Sequence, residues 1–229
     1  MVHFLIAEVR IGKKKPFGPD GALSAMDKQP VRGPVQATVG GLIGDEQADT
    51  RHHGGVDKAV HAYSAFHYAA WAASLPEAAS RFRPGGFGEN LVVDGATEAD
   101  LCLGDRWRAG EVLLEVSQGR QPCWKLNVRF GVPDMARRVQ ASGWTGWYFR
   151  VVEPGQIAAG TKSLLEARPH PDWPLTRVTD LLYRNKLDRE ALTAFASLPC
   201  LPEGWRRLAE RRLESGRVED WGARLGASG

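Results

Sequence analysis

The chain is predicted to be mainly β with helices (α+β), a distorted β-barrel over residues 1–168 followed by a small three-helix unit over residues 169–229. Three observations carry this. Up to about residue 166, short β-rich runs alternate with Gly, Pro and Asp turns at close spacing, the habit of barrels and sandwiches. A stiff segment, His170-Pro171-Asp172-Trp173-Pro174, then interrupts the pattern, and the residues beyond it follow helical periodicity. With 43% apolar and 25% charged residues in 229, the chain has enough material for one sizeable core and an appendage.

Taken in order, the apolar start from Val2 to Ala7 reads as a first strand. Lys13-Lys14-Lys15-Pro16 opens a charged turn that extends to Gly21 and receives no function. A helix is expected to begin with Ser64 as N-cap and to run through Phe66, Ala69, Ala70 and Ala73 until Pro76 ends it. Leu91-Val92-Val93, Leu101-Cys102-Leu103 and Val112-Leu113-Leu114-Glu115-Val116 read as strands, punctuated by Gly95, Gly104-Asp105 and Gly110. A second helix is expected over residues 133–141, with Pro133 in its first turn and Gly143 as its stop. In the tail, one short helix starts near Thr176, Asp188 caps a second through Ala196, and Pro202 opens a third through Ser215. That third helix gathers Trp205, Leu208, Ala209 and Leu213 on one face and most of its charges, Arg212 among them, elsewhere.

The bulk properties exclude several classes. A formal charge of +3 and a pI near 8.8 fall short of the dense basic stripe of a binder of nucleic-acid polymers, while leaving anionic small molecules as partners. No apolar run approaches the roughly 20 residues of a membrane span, and the start lacks a basic leader. Three cysteines, 102, 123 and 200, without a CxxC pair, argue against a disulfide framework or a structural zinc site and for reduced thiols in a cytoplasmic protein. GxxxxGK[ST], GxGxxG and GxSxG are absent, so nucleoside-triphosphate, dinucleotide and serine-hydrolase chemistry lack their central element.

Chemistry concentrates in four segments. One is Gly44-Asp45-Glu46-Gln47-Ala48-Asp49 with His53-Gly54-Gly55 and Asp57-Lys58-Ala59-Val60; the others are Phe87-Gly88-Glu89-Asn90-Leu91, Gly104-Asp105 and Ser117-Gln118-Gly119-Arg120-Gln121-Pro122-Cys123. Cys123 follows a proline at the end of an apolar strand, with Arg120 and Lys125 close by, and nearby cations favour the thiolate that ligates a soft metal. Cys102 and Cys200 lack basic neighbours and read as packing residues. His52, His53 and His61 lack the spacing of a zinc site; His61 reads as a strand residue, and the Gly54-Gly55 turn as a close approach for a bound anion.

In this order the segments, with Ser24-Ala25-Met26-Asp27-Lys28 and the three-helix tail, resemble a MOSC domain, the module named after the C-terminal part of molybdenum cofactor sulfurases, and specifically its YiiM branch. The resemblance implies a distorted MOSC-type β-barrel that binds the molybdenum cofactor (molybdopterin), with Cys123 as both catalytic residue and metal ligand. Cofactor contacts are expected from Lys28, His53, Gly54, Gly55, Lys58 and Arg120 on phosphate, and from Asn90 and Asn127 on the pterin's amide edge. It also implies reduction of N-hydroxylated bases and related compounds, with electrons from a separate reductase, a flavoprotein. The alternative is a non-catalytic carrier of the cofactor or of persulfide sulfur; a pyridoxal phosphate protein with Lys28 or Lys58 as the aldimine former is a third reading. Two departures stand out: Gly119 occupies a position where the branch often has proline, and Ser64-Ala65-Phe66 replaces a Pro-x-Glu before His67-Tyr68, so no acid/base role carries over from that Glu.

Overall fold

In the computed structural model, which describes residues 2–18, 21–48 and 54–226, the apolar start becomes β1 (His3–Ile11), with Phe4, Ile6 and Val9 buried. The alternation slips after Ile6, where the pairing register shifts by a bulge, because an extra residue turns the following side chains to the opposite face. Strands β2 (Lys15–Phe17) and β3 (Ala22–Ser24) form a small hairpin, so the charged turn begins in an extended pairing. Short strands β4 (Gln29–Pro30), β5 (Val35–Thr38) and β6 (Gly41–Leu42) precede the main sheet strands β7 (Val60–Ser64), β8 (Leu91–Asp94), β9 (Arg106–Ala109), β10 (Val112–Gly119) and β11 (Trp147–Glu153). β12 (Gly155–Ile157) joins β5 and β6 in a separate three-stranded sheet, and β13 (Lys162–Ala167) returns to the main one.

The main sheet runs β13-β9-β10-β11-β7-β8-β1-β4, and β13 also pairs with β1, which closes it into a barrel. Closure leaves no open edge within that ring, outside which β4 pairs only with the end of β1. Neighbours are antiparallel except β7 and β8, and parallel strands need a crossover. The crossover carries α1 (Phe66–Ser74) and a 3-10 segment, Pro76–Arg81. Ser64 is therefore not an N-cap: it is the last residue of β7, paired with Val93, and Ala65 precedes the helix without a side-chain cap. Strand pairing claims the backbone that the capping pattern assigned to the helix.

Leu101-Cys102-Leu103 also departs from expectation. Cys102 makes only an isolated bridge with Pro174, and its N–H donates to the Asp105 carboxylate at 2.9 Å, a side-chain bond that replaces a ladder partner. Two short helices escaped the sequence pattern, α2 (Lys125–Phe130) and a final turn at Gly222–Leu225; the expected helix between them is α3 (Met135–Ser142), ended by Gly143 in the left-handed conformation. The tail folds as α4 (Leu175–Tyr183), α5 (Arg189–Ala196), α6 (Glu203–Ser215) and α7 (Gly222–Leu225). Asp188 caps α5 by accepting from Ala191 N at 3.0 Å.

The tail helices do not bury their apolar faces only against one another. Phe195, Trp205 and Leu208 belong to the same buried cluster as Phe4, Trp107 and Val116 of the barrel. A second cluster, Tyr63, Trp71, Phe82, Phe87, Leu126 and Phe130, fastens α1 and α2 to the barrel wall. Arg212 is not on a solvated face: its side chain is buried, donates to Leu182 O at 3.1 Å and pairs with Glu219 at 2.7 Å. No helix among the described residues is long and apolar enough to cross a membrane.

Candidate functional site

β10 ends at Gly119, and the loop that follows carries Arg120 to Cys123 before α2 begins. The register of β10 against β11 shifts between Val116 and Gln118, a bulge that re-aims the strand where it enters the loop. Arg120 N donates to Gly146 O at 2.9 Å, tying the loop to the start of β11. Gly146 has φ +71, and a Cβ there would lie 2.5 Å from Ala62 O, so only glycine allows the loop, β7 and β11 to meet this closely.

These constraints produce a cavity of about 50 Å³ whose wall includes Cys123, Arg120, Lys125, His61, Tyr148 and Lys28. Cys123 is 7% exposed and lines this opening rather than a sealed apolar core. His61 of β7 and Tyr148 of β11 are paired across the sheet, ring centroids 5.0 Å apart. Burial, reinforced by the charge of Arg120, holds the His61 pKa well below its ordinary value, so the ring is neutral at neutral pH. Burial raises the pKa of Tyr148 against the opposing charge of Arg120, which leaves its hydroxyl protonated. Burial and Asp105 raise the pKa of Cys102, and burial and Glu115 raise that of Cys200; both remain thiols outside the cavity.

Arg120 sets the electrostatics. Its residue is 5% exposed, Nη1 has no hydrogen-bond partner, and among the described residues no carboxylate forms an ion pair with it. A buried cation without its anion costs several kcal/mol, so negative charge placed against Arg120 is favoured. Lys28, in contrast, is neutralised internally: Nζ lies 2.6 Å from Asp45 Oδ2. Burial lowers its pKa against the attraction of Asp45.

The remaining predicted site residues divide. Gly54, Gly55 and Lys58 line an adjoining cleft with Lys14, Glu46 and Gln47, and Gln47 belongs to both cavities. His53 lies outside the described residues. Asn90 and Asn127 are not in the wall of the Cys123 cavity. Asn90 donates to Asp45 and Arg10 O and accepts from His61 N, joining β1, β7 and the Asp45 loop. Asn127 donates to Leu225 O at 3.1 Å and accepts from Ala136 N at 2.7 Å. Both amides thus have partners within the protein, a use that amide chemistry alone did not distinguish from ligand reading. Tyr148 and His61 are the residues that the sequence reading passed over as site components; their only signal was alternation on a strand.

Comparison with known proteins agrees with this architecture. A family model described as MOSC domain matches residues 49–162, and one described as YiiM-like, 3-alpha helix domain matches residues 173–216. Protein YiiM of Escherichia coli strain K12 is 38% identical over 218 residues, which is 95% of this chain and 96% of that protein. A Gibberella moniliformis protein named Reductase is 37% identical over 214 residues, 92% of this chain but 38% of that longer protein. The crystal structure of YiiM from Escherichia coli superposes with a TM-score of 0.83 at 32% identity, covering 98% of this chain and 99% of that one; that of YiiM from Geobacillus stearothermophilus gives 0.77 at 33%, covering 92% and 99%. Barrel, tail and both family models agree that the chain belongs to the YiiM branch of the MOSC-domain proteins.

Proposed function

We propose that this chain binds the molybdenum cofactor in the Cys123 cavity, with the Cys123 thiolate as a ligand to molybdenum, and reduces N-hydroxylated compounds. The observation that carries the reading is the buried Arg120 guanidinium, without a carboxylate partner among the described residues, in the same cavity wall as Cys123. An anionic metal cofactor answers both features at once, since guanidinium binds phosphate and related anions and a thiolate binds a soft metal. The name of the Gibberella relative supports a reductive role.

When bound, the cofactor supplies the two-electron redox centre. For a hydroxylamine R–NH–OH, two electrons and two protons give R–NH₂ and water, the N–O bond breaking and an N–H bond forming. The chain's residues set the conditions. Arg120 holds negative charge, His61 forms an uncharged part of the wall, and Tyr148 keeps a proton on its hydroxyl inside the cavity. Electrons come from a separate reductase, for which a flavoprotein is the fitting class.

The test is anaerobic purification from cofactor-competent cells, measurement of molybdenum and pterin, and an assay of N-hydroxyadenine reduction with a chemical electron donor. Cys123→Ser is expected to lose molybdenum and turnover while keeping its fold, whereas Cys102→Ser and Cys200→Ser retain both. Wild-type turnover in Cys123→Ser overturns the reading; bound cofactor without turnover in the wild type converts it into a carrier.

A further inference from the structure

The helical tail ends, in α7, beside the Cys123 loop, and one residue holds both peptide units that flank the sulfur. Arg224 Nη1 donates to Pro122 O, 2.6 Å, in the peptide joining residues 122 and 123. Trp124 N, in the peptide joining residues 123 and 124, donates to Arg224 O, 2.8 Å. Cys123 is thus suspended between two bonds to the same tail residue. The second guanidinium nitrogen, Nη2, donates to Gln140 Oε1 of α3 at 2.7 Å, and Asn127 Nδ2 donates to Leu225 O.

The tail itself is fixed at several points. Arg212 of α6 pairs with Glu219, and Glu219 accepts from Trp221 Nε1 at 2.8 Å. Trp221 meets Tyr183 of α4 edge to face at 5.8 Å. Gly226 lies so close that a Cβ would fall 2.9 Å from Trp124 Cβ. Without these contacts, residues 120–124 would be a connector between a strand and a short helix, the kind of segment that opens locally at little cost.

We propose that the C-terminal helical unit is a brace for the cavity loop, with Arg224 as the positioning residue that fixes the backbone on either side of Cys123. Its bearing on chemistry rests on the reading of Cys123 given above. Ligation of a metal by one cysteine requires that sulfur to be held in place, because small misplacement of a ligand loses binding. The helical unit supplies that fixity from outside the barrel.

The experiment compares full-length, cofactor-free wild type with Arg224→Gln, Arg224→Lys and, as a tail control, the exposed Arg217→Gln. It reads amide hydrogen exchange across residues 120–127 and the rate of Cys123 alkylation at one pH, resolved by mass spectrometry. Arg224→Gln is expected to raise both about tenfold, the loss of roughly one hydrogen bond, leaving β7 and β11 protected. Arg224→Lys, which keeps a cationic donor, restores at least part of the protection, and Arg217→Gln matches wild type. Gln140→Met, which removes only the acceptor of Arg224 Nη2, serves if Arg224→Gln unfolds the chain and moves the loop in the same direction. Exchange and alkylation within twofold of wild type in both Arg224→Gln and Gln140→Met would overturn the brace. Molybdenum content separates the two claims: a wild type without molybdenum whose loop loosens in Arg224→Gln keeps the brace and sinks the cofactor reading. A molybdenum-loaded wild type whose loop is indifferent to both changes sinks the brace alone.

Discussion

Lys28 and Asp45 form an ion pair whose side chains are 3% and 6% exposed, and Asp45 also accepts hydrogen bonds from Gly12 N and Asn90 Nδ2. The pair joins the loop after β3 to the segment beyond β6 and thereby shapes the cavity rim. Lys28 therefore enters the wall as a charge already balanced, whereas Arg120 enters it as a charge awaiting a partner. The two cations have different consequences for stability and for binding.

Asp45→Ala leaves the Lys28 ammonium buried without a counter-charge and three donors unsatisfied. Loss of one partner of a buried pair costs about 3–5 kcal/mol, and urea denaturation is expected to show a decrease of that size. Lys28→Met combined with Asp45→Leu should recover a large part of it. A single-variant loss below about 1 kcal/mol contradicts the buried pair.

Arg120→Met keeps length and packing but removes the uncompensated charge. The cofactor-free variant is expected to be more stable than wild type by about 1–2 kcal/mol, while its molybdenum and pterin content after expression in cofactor-competent cells falls at least tenfold. Thermal unfolding and metal analysis check the two halves separately. A destabilised variant with full molybdenum content reverses the assignment of Arg120 to the cofactor.

Acid should loosen the tail through Glu219. Burial pushes its pKa up, but hydrogen bonds from Arg212 and Trp221 together with the charge of Arg212 outweigh that and hold it at about 2. A carboxylate whose folded pKa is depressed below its ordinary 4.5 contributes stability that is present above about pH 4.5 and is lost as pH falls toward about 2. The difference in unfolding free energy between wild type and Glu219→Gln should shrink across that window and be constant above it. A difference independent of pH from 7 to about 2.5 refutes the linkage.

Gly146→Ala places a methyl carbon 2.5 Å from Ala62 O at a positive φ of 71°. The strain and the forced separation of β7 from β11 are expected to cost about 3 kcal/mol, with loss of the Arg120 backbone bond to Gly146 O. Urea denaturation and amide exchange at Arg120 are the measurements, and a neutral substitution rules out this close approach.

Much of the fold was legible locally. The turn-punctuated runs, the prolines before α4 and at the start of α6, and Asp188 as the cap of α5 each rest on chemistry confined to a few neighbouring residues, and the chain behaves accordingly. Ser64 failed because its neighbour in space, Val93, is not its neighbour in sequence. Helices α2 and α7, of six and four residues, are too short to display a period.

The candidate site divides along the same line. By itself the sequence determined that Cys123 follows an apolar strand among cations and that its surrounding motifs match one family, since both are properties of residue order. Only the tertiary structure decided which cation is uncompensated, which amides already have partners, and that a residue 101 positions downstream of the cysteine grips the peptide units on both sides of it. Burial and pairing are set by what folds against a residue, and those contacts come from strands, loops and a tail that the order of residues alone does not bring together.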